Sequence, residues 1–565
     1  MQKRWNLPPK LTPEADRNLG AFHPVMRQLL FNRGYGTEEE ARAFLHGDSD
    51  LNTDPFQLMG MASAVELINL AVERGQLIAV YGDYDVDGVT ATALLVQTLR
   101  GMDANVRPYI PNRFDEGYGL NVEALDNLKA EGVRLVITVD CGIRSPQEAQ
   151  HARDIGLDLI ISDHHHPAVG ALPPAVAIIN PKLPGDPYPD KDLAGVGVAF
   201  KIAEALASPG RAGVSLEALL DLVALGTVAD LAPLIGENRT LVRRGLDEIH
   251  QTRRQGLFSL ANVAAMQISK TTASQIGFIL GPRLNAAGRL KSAEAALELL
   301  VTNDPSQAGR LAQELDVNNQ ERQAVTRETQ VKAEALATAD ELDPALLFAA
   351  HEDFSPGVVG LAASRLVEVH YRPAIVAAKG PEETRGSCRS IPEFHITDAL
   401  DKCADLLVRH GGHAAAAGFT VRNENLPELV RRLKALAEVE LGRQDLRPTL
   451  NTDMEIALSM MNFELLRHLG ELEPTGYGNR EAVFVSREVR VRSSRVVGAD
   501  GKHLKLTLQD ERGVTTDAIG FRLGHLQLDL PARVDLAYTL ESNDYNGRTT
   551  LQLNLKDVRA PRDGT

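Results

Sequence analysis

Residues 77–100 read LIAVYGDYDVDGVTATALLVQTLR. Leu77–Tyr81 is an apolar, β-branched-rich run of strand length, and Val89–Arg100 has the pattern of a helix. Between them lies GDYDVDG, residues 82–88, in which Asp83, Asp85 and Asp87 alternate. The turn leaving the strand therefore projects several carboxylates into one space. Like charges held together are costly unless something cancels them, and a hard divalent cation does so. A solvated acidic turn is the other reading of the same string. Gly88 lets the chain turn into the helix. An EF-hand loop is excluded, because it needs a glutamate six residues after the glycine and Leu94 stands there.

Working outward, Val133–Val139 and Leu157–Ile161 are further strand-like runs, with helix-like segments such as Val122–Ala130 interleaved. This alternation implies βαβ units and a parallel sheet, in which chemistry collects at the carboxyl ends of the strands. Both runs end like the first. LVITVD delivers Asp140, followed by Cys141 and Gly142; LIISD delivers Asp163, then His164, His165 and His166. Three strand ends bearing aspartate or histidine place candidate metal ligands on a rigid frame. Mixed carboxylate and imidazole ligation favours manganese or magnesium over structural zinc, which prefers thiolates. For His166 and one other histidine a surface or supporting role stays open. AGVGVAFK (194–201) is similar to G-x-G-x-x-G, but Phe200 replaces the third glycine and speaks against a dinucleotide site.

The rest of the 565 residues divides by pattern. Residues 1–50 read as an N-terminal appendage, and 51–303 as the α/β domain that carries the acidic motifs. Residues 304–344 hold a long polar, alanine-rich helix running from Asp304 to about Asp340, with Pro305 suited to its first turn. Residues 345–445 form a second α/β unit with strands at Ala345–Ala350 and Pro373–Ala378 and a last helix at Asn423–Leu441. From 446 to 565 the period drops to two. VFVSREVRVRSSRVV (483–497), HLKLTLQD (503–510), TTDAIGF (515–521) and RTTLQLNLKDV (548–558) predict a small closed barrel of the OB-fold kind.

Composition excludes some classes and leaves others open. Three cysteines, Cys141, Cys388 and Cys403, lie far apart without C-x-x-C spacing, which excludes a disulfide framework or zinc finger and fits a reducing cytoplasm. MQKRWNLPPK has no apolar signal core, and no run reaches the length a membrane span needs. A formal charge of -16 lacks the basic footprint of most nucleic-acid binders, although a local patch can steer a strand on an acidic body.

Asp163-His164-His165 is the motif that names the DHH phosphoesterases, and the chain resembles that family in three further places. GDYDVDG, the TVD–Cys–Gly segment (138–142) and GTVAD (226–230) are similar to its other metal-binding motifs, in the same order. The resemblance implies two divalent ions, manganese or magnesium. Asp83, Asp85 and Asp140 would hold one, and Asp87, Asp140, His164 and Asp230 the other, with Asp140 bridging. Asp230 enters only through the resemblance, because it is one position in the helical stretch Leu216–Leu231. His165 would contact substrate phosphate or position water, and Asp163 joins it in the catalytic group. GPRLNAAGRL (281–290), a glycine-bracketed loop, implies Arg283, Asn285 and Arg289 at DNA phosphates. SPGVVGLAASRL (355–366) and GGHAAAAGF (411–419) resemble the DHH-associated domain. There, Gly411 and Gly412 would let backbone amides approach a phosphate, beside His413, Arg365, Arg385 and Arg389.

Within that family, Asn318–Gln323 in the long helix, PTGYGN (474–479) and the terminal barrel resemble the RecJ branch. That likeness implies a single-stranded-DNA-specific exodeoxyribonuclease working 5′ to 3′ in DNA repair and recombination and releasing 5′-mononucleotides. The barrel would guide the strand, with Tyr545 and Phe521 as its available aromatics. Other members act on short oligonucleotides or cyclic dinucleotides, and one relative binds strands without catalysis; both remain alternatives at this stage. A single-strand-binding protein, a helicase and a monomeric state are further implications of the likeness. Some relatives carry another domain after the barrel, whereas this sequence reaches Thr565 soon after its last strand-like run.

Overall fold

The computed structural model describes residues 3–47, 53–112, 119–168, 170–207, 215–290, 292–339, 343–498, 501–545 and 547–561, without the side chains of residues 289, 290, 529 and 545. Two compact units share the chain. One comprises Gln2–Asn285, Ala293–Gln313 and Thr449–Thr565; the other comprises Ala286–Ser292 and Glu314–Pro448.

The first unit is organised by five strands: β1 (Leu77–Gly82), β2 (Val106–Tyr109), β3 (Val133–Val139), β4 (Asp158–Ser162) and β5 (Ala177–Ile179). Their order is β2-β1-β3-β4-β5 and every pairing is parallel. Helices α1 (Val86–Gly101), α4 (Gly195–Leu206) and α5 (Leu216–Ala229) are packed together, while α2 (Val122–Ala130) and α3 (Pro146–Asp154) join Ala79, Tyr81, Val133 and Val136 in a separate apolar cluster. Burial from both sides explains why these strands are continuous apolar runs rather than alternating ones. The strand order reverses between β1 and β3, the switch point where a crevice opens at the carboxyl ends. Register lines those ends up, with Gly82 opposite Val139 and Val139 opposite Ser162. The next residue on each strand is Asp83, Asp140 or Asp163.

Helix α1 starts three residues before its expected start. Asp85 is its N-cap, with Oδ1 accepting from the N–H groups of Asp87 (3.0 Å) and Gly88 (3.2 Å). Asp87 therefore sits in the first helical turn instead of the preceding loop. The segment GPRLNAAGRL is also a correction: it is helical, α7 (Gly281–Leu290), not a loop. Leu284, Ala286 and Ala287 are buried, and that burial outweighs the turn-forming signal of its proline and glycines. A π-helical turn, Ile276–Leu280, precedes α7.

The same unit contains a closed five-stranded barrel: β11 (Phe484–Val497), β12 (His503–Gln509), β13 (Thr515–Gly520), β14 (Arg533–Tyr545) and β15 (Arg548–Arg559). Its order is β11-β12-β13-β15-β14, closed by β14 on β11, with β13 and β15 parallel. Strict alternation places Leu504, Leu506 and Leu508 inside. Residues read as an N-terminal appendage share a buried cluster with this barrel. Val25, Met26, Leu29, Leu30, Phe44 and Leu45 share one buried cluster with Phe484, Leu504 and Tyr538. Arg4–Asn6 pairs in parallel with Thr449–Asn451, and the Trp5 indole donates to Asp557 at 2.7 Å. A segment of that length cannot bury its own apolar faces, so it borrows a core. Arg239, on α6 (Gly236–His250), ties this assembly to the catalytic sheet's helices. Its buried guanidinium donates to the carbonyls of Phe44, Glu471, Leu472, Glu473 and Pro474.

The second unit has strands β6 (Leu347–His351), β7 (Ala374–Lys379), β8 (Glu383–Arg389), β9 (Leu407–His413) and β10 (Ala416–Arg422), in the order β9-β10-β8-β7-β6. Only β6 and β7 pair in parallel. Helix α9 (Val359–His370) packs on this sheet, as do Ala333 and Ala337 of the 33-residue helix α8 (Pro305–Ala337).

Candidate metal centre

The three aligned strand ends converge with two helix ends. Ligand atoms of Asp83, Asp85 and Asp140 lie within 4.8 Å of one another, as do those of Asp87, His164 and Asp230, and those of Asp140, His164 and His165. Asp140 and His164 each belong to two of these groups. His164 Nε2 stands 3.1 Å from Asp140 Oδ1, 3.7 Å from Asp230 Oδ2 and 3.9 Å from Asp87 Oδ2.

Backbone geometry holds the cluster together. Asp140 has φ 60°, a left-handed conformation that few non-glycine residues adopt, which turns its side chain off the end of β3. Asp87 is 1% exposed, and its two oxygens accept from Gly195 N–H (2.7 Å) and Val196 N–H (2.8 Å) at the start of α4. The positive end of a helix thus grips a carboxylate. The glycine-rich string AGVGVAFK, already set aside as a dinucleotide site, supplies that grip. Gly195 leaves room for Asp140, since a Cβ there would sit 2.7 Å from Asp140 Cβ. Gly226 of GTVAD does the same for Asp87, whose Oδ1 would lie 2.8 Å from an added Cβ. Asp230 caps the C-terminus of α5.

Burial and mutual repulsion raise Asp87, Asp140 and Asp230. Burial first, then Asp85, pushes Asp87 up to about 7. Burial, then Asp87 and Asp85, pushes Asp230 up to about 9. Asp140 is held well above the usual range by burial and by Asp87, Asp85, Asp83 and Asp230. The histidines divide. His164 is pushed down to about 3, by burial and then by His165, so it is neutral. Its buried Nε2 makes no hydrogen bond. A neutral imidazole with an unused nitrogen among carboxylates fits a metal ligand. His165 is raised: burial opposes its charge, but the hydrogen bond and charge of Asp163 outweigh that. Hard carboxylate oxygens plus one imidazole fit divalent manganese or magnesium.

Asp163 accepts hydrogen bonds through both of its oxygens. Its Oδ1 accepts from the N–H of His164 (2.7 Å) and His165 (3.0 Å) and from His165 Nδ1 (2.8 Å). Its Oδ2 accepts from Ile143 N–H at 2.9 Å. These contacts hold the two histidines against it. His166 is exposed, and its carbonyl accepts from Arg144 Nε. Sequence reasoning missed Asn180, whose Nδ2 holds the His165 carbonyl at 2.9 Å, and Lys182, whose charge acts on both His164 and Asp230. NPK, residues 180–182 after the β5 run, was the available signal.

Among the expected strand contacts, Arg283 lies half-buried on α7, its Nη1 donating to Ile279 O at 2.9 Å. Gly281, the first residue of that helix, sits against Ala229, next to Asp230, and Asn285 follows one turn along. The side chains of Arg289 and Tyr545 lie outside the described residues. Phe521 is exposed just after β13. In the second unit, Arg385 and Arg389 share one face of β8 with Ser387 between them, and Arg389 Nη2 would lie 3.2 Å from a Cβ on Gly360. Gly411, Gly412 and His413 end the edge strand β9, all exposed. Arg365 pairs with Glu368 at 2.6 Å. The three cysteines are free and buried, and among the described residues no helix is long and apolar enough to cross a membrane.

Comparison with known proteins agrees with this geometry. Residues 77–227 match the DHH family N-terminal domain, 343–438 the DHHA1 domain and 452–557 the RecJ OB domain. The single-stranded-DNA-specific exonuclease RecJ of Bacillus subtilis is 39% identical over 95% of this chain and 68% of its own length. The protein of that name from Salmonella typhimurium is 37% identical over 95% of this chain and 96% of its own length. Crystal structures of Thermus thermophilus RecJ superpose over 99% of this chain. The complex with Mn2+ has TM-score 0.85 and 31% identity over 80% of that chain; the complex with Mg2+ has TM-score 0.79 and 30% identity over 79%. Domain order, strand-end ligands and identity along nearly the whole chain agree: this chain belongs to the RecJ family of single-stranded-DNA-specific exonucleases.

Proposed function

We propose that this chain hydrolyses single-stranded DNA from its 5′ end with two divalent ions, manganese or magnesium, releasing 5′-mononucleotides in repair and recombination. The observation that carries the reading is the convergence of Asp83, Asp140 and His164 from adjacent strand ends with Asp87 and Asp230 from helix ends. Asp83, Asp85 and Asp140 would hold one ion, and Asp87, Asp140, His164 and Asp230 the other. When bound, such a pair neutralises the phosphate and activates water for in-line attack.

The chain's own groups do the remainder. Asp140 belongs to both sets and fixes their spacing from a strained backbone position. His165, raised by the hydrogen bond and charge of Asp163, would supply positive charge beside the phosphate and a transferable proton at Nε2 for the leaving oxygen when protonated. Arg283 and Asn285 are assigned to flanking phosphates, and α7's start against Ala229 supports that. Arg385, Arg389, Gly411, Gly412 and His413 are assigned to strand phosphate in the second unit, with Arg365, already paired, as the weakest member. The barrel supports a polymeric substrate, since a dinucleotide needs no strand guide. A single-strand-binding protein and a helicase as partners, a monomeric state and a cytoplasmic location complete the reading.

The test is incubation with manganese and labelled single strands of increasing length, beside the matching duplexes. Sequential mononucleotide release from long single strands is expected. Hydrolysis of short oligomers alone would favour a small-substrate phosphodiesterase. Strand binding without hydrolysis would favour a non-catalytic relative. Asp140→Ala should lower activity by orders of magnitude, because one change disturbs both ion positions.

A further inference from the structure

The motif PTGYGN (474–479) contributes nothing to the metal cluster, yet it is built against the segment that follows Asp230. The Tyr477 carbonyl accepts from Leu234 N–H at 2.7 Å, and Gly478 lies over Pro233 so closely that a Cβ would come within 3.0 Å of it. The turn is fixed from inside as well. Gly476 N–H donates to the Asn479 carbonyl at 2.7 Å, and Asn479 Nδ2 donates to Leu472 O (2.8 Å) and Pro474 O (2.9 Å). Arg33 Nε donates to Asn479 Oδ1 at 3.0 Å. On this rigid turn the Tyr477 ring is 65% exposed.

Tyr477 also forms a wall of a hollow of about 480 Å³, which Tyr35, Ile235, Arg33 and Arg480 help to line. That volume suits a nucleotide-sized guest. The cations at its edge are positioned in advance: Arg480 clamps Asp453 at 2.8 and 3.0 Å, and Arg33 is buried against the turn. Three residues separate Asp230 from Leu234, a span of at most about 14 Å. The hollow therefore opens within a few nucleotides of the metal ligands. Leu231, in the intervening segment, is 68% exposed.

We propose that this hollow is a nucleobase subsite, where the Tyr477 ring stacks on an unpaired base of the strand a few nucleotides from the bond being cut. The inference rests on the strand-hydrolysis reading and deepens it. Every base has a π-face, so such a subsite tolerates any sequence. A base still paired in a duplex cannot enter, so the subsite adds to the preference for single strands.

The experiment measures KM and kcat of the full chain with manganese for Tyr477→Ala and Tyr477→Phe. Substrates are single strands carrying one abasic position, moved stepwise from the 5′ end. Tyr477→Ala should raise KM about tenfold with kcat retained, in line with stacking lost at one base. Tyr477→Phe should behave like the parent. At one abasic position the parent should lose the same factor and Tyr477→Ala should lose nothing further. An unchanged KM overturns the inference, and so does a Tyr477→Ala defect equal at every abasic position, which would mark a structural role. Strand binding by fluorescence anisotropy in EDTA, with the same variants and strands, judges the subsite even if the parent releases no nucleotide; that last result would count against the hydrolysis reading alone.

Discussion

Metal loading should expel protons, and the structure sets how many. With Asp87 at about 7 and Asp230 at about 9, a metal-free site at pH 7 holds about half a proton on the first and about one on the second. Divalent ions need both carboxylates ionised, so these two groups alone release about 1.5 protons. Asp140, also raised, adds to that number. His164, pushed down to about 3, has no proton to give. Apparent affinity near pH 7 should therefore rise about 30-fold per pH unit, and the contribution of the two groups should fall to about 0.5 proton at pH 9. The same shifts bear on stability. A carboxyl whose folded pKa is raised favours folding below its unfolded value and loses that contribution as pH climbs through the folded value. The metal-free protein should thus lose thermal stability between pH 6 and 9, while the manganese-loaded protein should not. Titration calorimetry of manganese into chelator-stripped protein, in buffers of different ionisation heat, counts the protons directly. Heats at pH 7 that do not depend on the buffer would refute the reasoning, because they would mean the carboxylates are already ionised without metal.

Asp163→Asn removes the charge that raises His165 while leaving one oxygen for its N–H donors. The alkaline limb of the rate profile should move to lower pH and the rate at neutral pH should fall, with manganese affinity by calorimetry little changed. Gly226→Ala drives a methyl to within 2.3 Å of Thr90 Oγ1 and 2.8 Å of Asp87 Oδ1. Manganese affinity should drop, and the folded state should lose about 1–3 kcal/mol in urea unfolding, the usual cost of overpacking. His413→Ala should raise KM for long strands about tenfold, as for loss of one charge-assisted contact, with metal affinity unchanged; a loss of metal would show that His413 belongs elsewhere.

What could be read in the residues followed the range over which each signal acts. Strand runs and their terminal aspartates were legible, because burial on both faces of a parallel sheet makes its strands continuously apolar, and Val133–Val139 and Val122–Ala130 begin and end where expected. Asp230 was not selectable, since a C-cap position in an apolar helix has no spacing that distinguishes it. GPRLNAAGRL misled for the opposite reason: its local turn chemistry is strong, but Leu284, Ala286 and Ala287 find buried partners and the helix wins. Strand β14 went unremarked because its last residues, SNDY, are polar. The union of the first residues with the barrel core joins segments more than four hundred positions apart, and no local pattern encodes that.

Each proposed ligand among the carboxylates is held by the chain itself: Asp85 by its cap on α1, Asp87 by two amides of α4 and Asp140 by a left-handed backbone. Repulsion among the carboxylates is offset by helix N-termini and by protonation. Metal binding should therefore release protons. It follows that changes at the supports, Gly195, Gly226 or the α4 amides, should weaken metal binding although none of them touches an ion, and that the ligands themselves should be the less sensitive to strain the nearer they lie to a helix end.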